Sequence, residues 1–429
     1  MTKTCLASRK IAARNIPGLA AGAAAFALLT AGSAQAAPAC EPGNGGITLP
    51  SGFCALVAAD NIGTARQAVV AANGDLYVAR QGTHGGVMAL RDTNGDGKFD
   101  TRQQFGDGSG TGIGFHDGYL YVAQTDRLVR WKMTPGQLQP SGPMQVVVDG
   151  MTASDEHHDK GLAFDTKGAV YINVGPPSNA CQVEDRKKGS PGQDPCPILE
   201  MHGGVWKFDA NRLNQKQSDG TRMATGLRQA VAVTYHDGTP WVVMNNRDQL
   251  DTLDPQYFTT ADNNDRPAEV MYRITPDSNF GWPYCFYDYQ QKKLVLNPEY
   301  GGDGKKVGRC SMFGLPAAAF PAHWAPESVL FYEGTQFPAK YRGGAFIAFH
   351  GSWNRSPDQR PSAVVFQPFN GAKAEGAFEV FASGFAGKPT ITSQAQAAAR
   401  ADGLAVANDG SLYITDSNKG KIWRVLYQH

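Results

Sequence analysis

Four consecutive residues, His157-His158-Asp159-Lys160, set two imidazoles, a carboxylate and an ammonium side by side, a group able to accept, donate or relay a proton near neutral pH. Arginines stand in other polar stretches: Arg228 in GLRQAV, Arg247 in NNRDQLD, Arg355 in HGSWNR and Arg400 in AAARADGL. Planar guanidinium groups that converge suit an anionic ligand, because each pairs bidentately with a carboxylate. Taken singly, the same arginines also tie loops to carboxylates and carbonyls, and paired histidines are common surface hydrogen bonders. The run from Asp92 to Asp100 alternates oxygen donors at Asp92, Asn94 and Asp96, with Gly97 next and Asp100 beyond. That resembles a calcium loop, but its twelfth position is Gln103 instead of a bidentate glutamate, so a structural calcium and a plain polar turn both remain open. No GxSxG elbow, P-loop, GxGxxG after a strand or HExxH is present, which removes the common hydrolase, nucleotide and zinc-protease readings.

These groups sit in a chain with the marks of export. Lys3, Arg9, Lys10 and Arg14 precede an apolar, small-residue run from about Ile16 to Ala31, and Ala34-Gln35-Ala36 fits a signal-peptidase site. Residues 1–36 are therefore expected to be a signal peptide and residues 37–429 one mature domain, periplasmic or secreted. No other segment approaches the roughly 20 apolar residues that span a bilayer, so the mature protein is not expected to be membrane-embedded. The formal net charge is +1, and no basic block interleaves with aromatics, which speaks against nucleic acid as a partner. Beyond Cys5 the chain carries Cys40, Cys54, Cys181, Cys196, Cys285 and Cys310. An even number in an exported chain favours disulfides. The six fall into three local couples, Cys40 with Cys54, Cys181 with Cys196 and Cys285 with Cys310, and no CxxC pair suggests a metal cluster.

The elements that must position the chemistry come from an internal repeat. An apolar strand, a turn ending in Gly and a second strand of LYV type recur as AVVAANGDLYVAR, GIGFHDGYLYVA, GLAFDTKGAVYINVG, AVAVTYHDGTPWVV, GGAFIAFHG and GLAVANDGSLYITD. The fifth copy keeps only its second strand clearly. A third apolar strand follows each copy, and some units add a fourth, as at 144–150 and 378–384. Alternating hydrophobicity and Asn-Gly or Asp-Gly turns predict antiparallel hairpins, with nothing more helical than the Ala-rich turn near Ala395 to Ala399. Six such units predict an all-β, six-bladed propeller of four-stranded antiparallel blades. The segment Phe53 to Ala59 resembles the other fourth strands and is expected to complete the last blade and close the ring. A β-sandwich is the structural alternative, but it does not account for six similar units.

Alternation of strand direction puts every second-to-third loop on the same face as the connection into the next first strand. The long loops at 176–203, 244–269 and 350–362 are of that kind, and a further stretch, 275–336, is expected to precede unit five and hold its first strand. Long ordered loops gathered on one face carry function. Arg66, His157, Arg228 and Arg400, which lead into first strands, are expected at the same channel mouth, with the Asp92–Asp100 loop on the opposite face.

At this point the sequence resembles the soluble, pyrroloquinoline quinone (PQQ)-dependent sugar dehydrogenases, and most closely the sorbosone dehydrogenase-like branch. The resemblance runs over nearly all of the mature chain through HHDKGLAFDTKGAVYINVG, GLRQAV, SNFGWPYC, FYEGTQFPAKYRGGAFIAFHGSWNRS and ADGLAVANDGSLYITDSNKGKIWRV; HGSWNR and NFGWPYC are its most specific marks. It implies oxidation of an alcohol or aldehyde-hydrate carbon of a sugar, with hydride passing to PQQ, Ca2+ polarising the quinone, and electrons passed to an acceptor such as a cytochrome or a quinone pool. On this pattern His157 matches the base and Arg228 the arginine beside the reactive carbonyl. Arg355 and Arg400 match carboxylate partners of the cofactor, joined by Gln229, Arg247 and His350. Asn246 and Arg247 occupy the stretch that offers backbone carbonyls to calcium. Gln67, His158 and Asp159 are expected to face the substrate. Two features depart from the pattern: Gln229 stands where Asn is common, and the acidic run after the NxRD segment is altered, which leaves the calcium ligands open.

A calcium-dependent lactonase or related hydrolase, and a non-catalytic propeller binding carbohydrate or protein, are the competing readings, because fold alone does not choose among them.

Overall fold

Tight turns fold each apolar run back on itself. At Asp117-Gly118 and Asp237-Gly238 both central residues take positive φ (46° and 78°, 47° and 74°), the conformation that joins antiparallel strands through two residues. His116 accordingly pairs with Tyr119, and His236 with Thr239. The structure is a computed structural model that describes Met1, residues 38–83 and residues 85–428; apart from Met1, the expected leader lies outside the described residues.

Six four-stranded antiparallel units follow one another in sequence, two of them, blades 2 and 3, with a short parallel strand added at the edge. Their first strands are Ala65–Val70, Gly110–His116, Leu162–Phe164, Gln229–His236, Pro326–Phe331 and Ala401–Val406. Each lies against the first strands of its two neighbours, and the contact between Ala65–Val70 and Ala401–Val406 completes the circle. The fold is the expected six-bladed propeller. Phe53–Ala59 pairs antiparallel with Ile422–Tyr427 as the fourth strand of blade 6. First strands approach closely because glycine stands just before or within several of them: a Cβ on Gly161 would stand 1.9 Å from the Val231 carbonyl oxygen, and one on Gly403 2.4 Å from that of Arg66.

The apolar core lies between blades. Blades 5 and 6 share a cluster with Phe346, Phe366 and Phe381 on one side and Leu412, Ile414 and Trp423 on the other, and Phe53 of the closing strand stacks edge-on to Phe337 and Phe381. Fourth strands are the outermost, so Thr101–Phe105 can be largely polar.

Two stretches differ from the sequence reading. The stretch 275–336 does not simply precede blade 5: most of it is the third-to-fourth connection of blade 4, between Glu269–Arg273 and Ala318–Phe320. Within it Ser278–Asn279 adds a parallel edge to blade 3, and Cys285–Asp288 and Lys293–Leu296 form a separate hairpin. Only Pro326–Phe331 is the first strand of blade 5. The loop 244–269 holds two short helices, Leu250–Leu253 and Thr260–Asp265, the second started by a reciprocal Thr259–Asp262 capping box. They are too short to give a periodic signal.

The three disulfides are the expected local couples, Cys40–Cys54, Cys181–Cys196 and Cys285–Cys310. Non-reducing peptide mapping is expected to recover all three. Converting Cys181 and Cys196 to alanine should lower the unfolding free energy by about 2–3 kcal/mol in urea titration, as for other loops of similar length. Free thiols at these two positions would contradict the assignment.

Candidate active site

The three long second-to-third loops and the 275–317 excursion meet over one end of the channel. Trp282 Nε1 donates to the Asn179 carbonyl, the Tyr300 hydroxyl to the Ala180 carbonyl, and Arg247 Nη1 to Asn297 Oδ1 (3.0, 3.1 and 3.1 Å). The excursion therefore builds a wall around the loop that carries Cys181 and Cys196.

His157 sits where the chain turns into blade 3, with φ at 53°. Its Nδ1 lies 2.7 Å from the Pro176 carbonyl oxygen. A carbonyl only accepts, so Nδ1 carries the proton and Nε2 keeps its lone pair in the neutral ring. Burial first, and the Arg228 cation second, lower the His157 pKa to about 3, which keeps the ring neutral. Gly175 lets this loop seat itself: a Cβ there would stand 2.4 Å from the His157 carbonyl oxygen and 2.6 Å from Gln229 Oε1. Gln229 Oε1 is buried without a hydrogen-bond donor beside this histidine, and Gln229 Nε2 makes a long 3.4 Å contact to the Asp159 carbonyl.

Arg228 is fully buried. Its guanidinium donates to the Asn246 carbonyl (2.7 Å), Asn179 Oδ1 (3.1 Å) and Asp248 Oδ2 (2.7 Å), while Nε has no partner. Burial opposes the charge on Asp248, but Arg228, His323 and Arg186 outweigh it and hold its carboxyl well below the usual range. Asn179 locks the arrangement, its side chain accepting from the Asp248 N–H and donating to the Asp248 carbonyl.

Arg66 occupies the channel interior. It pairs with Asp402 at 2.5 Å and with Asp159 and Glu327 at 2.9 Å, joining blades 1, 3, 5 and 6. Burial raises Glu327 to about 8 and Asp402 to about 6, because three buried carboxylates around one guanidinium do not all ionise freely. Asp159 stays below its ordinary value: burial opposes its charge, but Arg66 and His158 outweigh it. Asp159 also accepts from Thr111 Oγ1 and from Gln81 Nε2. His158 is more exposed, with Nε2 3.7 Å from Asp159 Oδ1. Gln67 Nε2 donates to the Glu327 and Val231 carbonyls, so that side chain serves to cross-link first strands.

His350 Nε2 lies 2.5 Å from Ser417 Oγ, and its carbonyl accepts from Arg400 Nε at 3.0 Å. Burial, then the Arg400 and Arg66 cations, keep this ring neutral. Arg400 also donates to Gln394 Oε1 and the Gly351 carbonyl, so its partners are all neutral acceptors and its charge has no carboxylate within ion-pair distance. Arg355 Nε and Nη1 are buried without hydrogen-bond partners. Arg400 keeps a charge that no carboxylate matches, which fits an anionic cofactor; Arg355 keeps N–H capacity unused, with Asp265 and Arg360 as its charged neighbours.

Arg247 is turned away, into the wall, where it pairs with Glu299 at 2.5 Å and lies 3.8 Å from Asp254. The Asn246 carbonyl already accepts from Arg228, and its N–H and amide are engaged by Glu269 and the Ala268 carbonyl. Among the described residues no group of three His, Cys, Asp or Glu side chains is placed to hold a metal ion, and no step is derived through calcium. In the Asp92–Asp100 turn the carboxylates of Asp92, Asp96 and Asp100 accept backbone N–H bonds from Gly95, Gly97, Lys98 and Thr93, and Asn94 accepts from Asp96.

Asp248, Asn179, Glu327 and Asp402 escaped the sequence reading. One signal was available: Arg-Gln-Ala-Val occurs twice, at 66–69 and 228–231, opening blades 1 and 4. Two buried arginines at equivalent positions call for buried acceptors.

The comparisons with known proteins agree with this architecture. A family model described as TrAA12-like matches residues 47–428. A pyrroloquinoline quinone-dependent pyranose dehydrogenase of Coprinopsis cinerea is 25% identical over 201 residues, which is 41% of this chain and 27% of that protein. The holo form of the pyranose dehydrogenase PQQ domain from Coprinopsis cinerea superposes with a TM-score of 0.70 at 17% identity, over 91% of this chain and 98% of that one. The calcium structure of the Trichoderma reesei family AA12 enzyme gives 0.73 at 17% identity, over 89% and 97%. With the propeller, its closing strand and a match that spans nearly all the described residues, this chain belongs to the TrAA12-like family.

Proposed function

We propose that this protein is a PQQ-dependent sugar dehydrogenase that oxidises a sugar or sugar aldehyde of the aldose or sorbosone type at the channel mouth. The observation that carries this reading is His157: neutral, with Nδ1 fixed on the Pro176 carbonyl and Nε2 left as a proton acceptor. Loss of hydride from a carbinol carbon becomes easy as its hydroxyl proton leaves, and a positioned imidazole can take that proton. When bound, the quinone supplies the hydride acceptor. Arg400 and Arg355 would hold its carboxylates, with His350 and Gln229 adding neutral contacts. His158 is the side chain best exposed to meet the substrate, while Asp159 holds Arg66 in place. Arg228, its charge matched by Asp248, disfavours the protonated form of His157 and holds Asp248 and the Asn246 carbonyl.

Three disulfides support an oxidising, periplasmic or extracellular setting, and a cytochrome or quinone pool would take the electrons onward. A calcium-dependent hydrolase is disfavoured because the channel carboxylates Asp159, Glu327 and Asp402 are already paired with Arg66. The test is reconstitution with PQQ, with and without Ca2+, followed by dye reduction over aldoses, sorbosone and polyols. Quinone binding with turnover supports the reading; neither binding nor turnover under any condition overturns it.

A further inference from the structure

A second pocket opens behind the HGSWNR loop, on the outer side of blades 5 and 6. Its volume is about 600 Å³, within the usual range for small-ligand sites, and Trp324, Arg360, Val380, Ser383, Lys388 and Thr48 contribute to its lining. No acidic side chain lines it. Arg360 lies over the Trp324 ring, 5.1 Å from its centroid, and the indole is itself fixed by donating to the Pro361 carbonyl. The backbone of Arg360 is pinned at both ends by Ser352, but its guanidinium has neither a hydrogen bond nor an ion pair, and Nε is buried without a partner. Lys388 is exposed and likewise unpaired.

Two unneutralised cations in a concave site favour an anion, and a stacked, planar guanidinium favours a carboxylate. Burial and the nearby Arg355 cation both disfavour the charge on Arg360, and Asp265, outside the lining, offsets them only in part. An arriving carboxylate would relieve that cost. The remaining lining is amphipathic. Thr48 and Ser383, held together by a reciprocal backbone bridge, present hydroxyls with no partner, while Val380, Pro389 and Ala386 offer a small apolar surface. A sugar ring has both kinds of face.

We infer that this pocket binds a carboxylate-bearing sugar, of the uronate or aldonate class, through Arg360 and Lys388. The site is separate from His157 and needs no cofactor, so it is tested on the full chain without PQQ. D-glucuronate would be titrated by calorimetry and by tryptophan fluorescence at low and high salt, beside glucose, acetate and inorganic phosphate. Glucuronate should bind saturably, more weakly at high salt, and more tightly than acetate or phosphate, while glucose should not bind measurably. Arg360→Gln and the exposed Lys388→Gln should each weaken binding roughly tenfold or more, the effect of losing a charge-assisted hydrogen bond, without changing the thermal midpoint enough to indicate unfolding. Absence of glucuronate binding, equal binding of phosphate, or binding unaltered in Lys388→Gln and a folded Arg360→Gln would each overturn the assignment. Because PQQ takes no part, failure here leaves the dehydrogenase reading standing, and failure of reconstitution leaves this one standing.

Discussion

His157→Ala is expected to lower turnover about 10²-fold or more while quinone binding persists, the loss typical of a missing general base. The ring stands on geometry as well as chemistry, since the Pro176 carbonyl fixes its tautomer and Gly175 leaves room for its loop. The pH dependence sharpens the test. The His157 pKa falls from 6.5 to about 3 in the fold, so the folded protein prefers the neutral ring. Its contribution to stability is complete above pH 6.5 and is lost as the pH falls from there towards 3. Turnover should therefore show no His157-dependent fall between pH 7 and about 5. A titration near pH 6.5 in the wild type that disappears in His157→Ala would mean that the ring charges in the ordinary range, against its neutral burial though not against its role as base. His158→Ala should cost less, because that ring is more exposed and faces Asp159. A larger loss at His158 would transfer the role, and no loss at either would place the base elsewhere.

Arg228→Met should cost about 3–5 kcal/mol of unfolding free energy, the range for removing one partner of a buried ion pair. It would leave Asp248 with only the more distant Arg186 and His323, and strip the Asn246 carbonyl of its donor. Arg228→Lys restores charge but not the fork that reaches Asn246, Asn179 and Asp248 together, so it should remain folded yet lose most turnover. Pairing Arg228→Met with Asp248→Asn should recover part of the stability, because the stranded charge is gone. Urea unfolding of the four proteins decides the matter. A loss below about 1 kcal/mol for Arg228→Met would rank the pair with surface salt bridges and overturn its structural role.

How far the sequence could be read depended on the kind of signal each feature left. Strand hairpins with Gly turns repeat every blade, so the propeller, the closing strand Phe53–Ala59 and the three local disulfides were legible. Excursions that leave the repeat were not. Ser278–Asn279 climbs the edge of blade 3 through two residues, too few for any pattern, and the fourth strand Ala318–Phe320 is three residues long. In the candidate site, groups that lead into first strands could be placed at the mouth by strand direction alone. Which way each side chain turns could not: Arg228 and Arg247 are both buried in one neighbourhood, yet Arg247 faces Glu299 in the wall. Gln67 likewise looked available for substrate and is consumed in bridging Glu327 and Val231. Buried acceptors such as Asp248 and Asp402 carry no motif, and only the demand of a buried guanidinium for partners points to them.

The pairing of Phe53–Ala59 with Ile422–Tyr427 also sets an order of events. Blades 1 to 5 each take their four antiparallel strands in chain order, so during synthesis they can organise one after another. The sixth cannot. Its outer strand emerges early and must wait, with a bare hydrogen-bonding edge, until the last strand is released, and such an edge invites pairing with other chains. Sealing the circle is thus the step with the longest loop to close, and contacts between remote segments of this kind make folding slow. Newly made protein should spend its most vulnerable interval as an open arc, and a helper that masks Phe53–Ala59 would raise the yield more than one acting on any other strand.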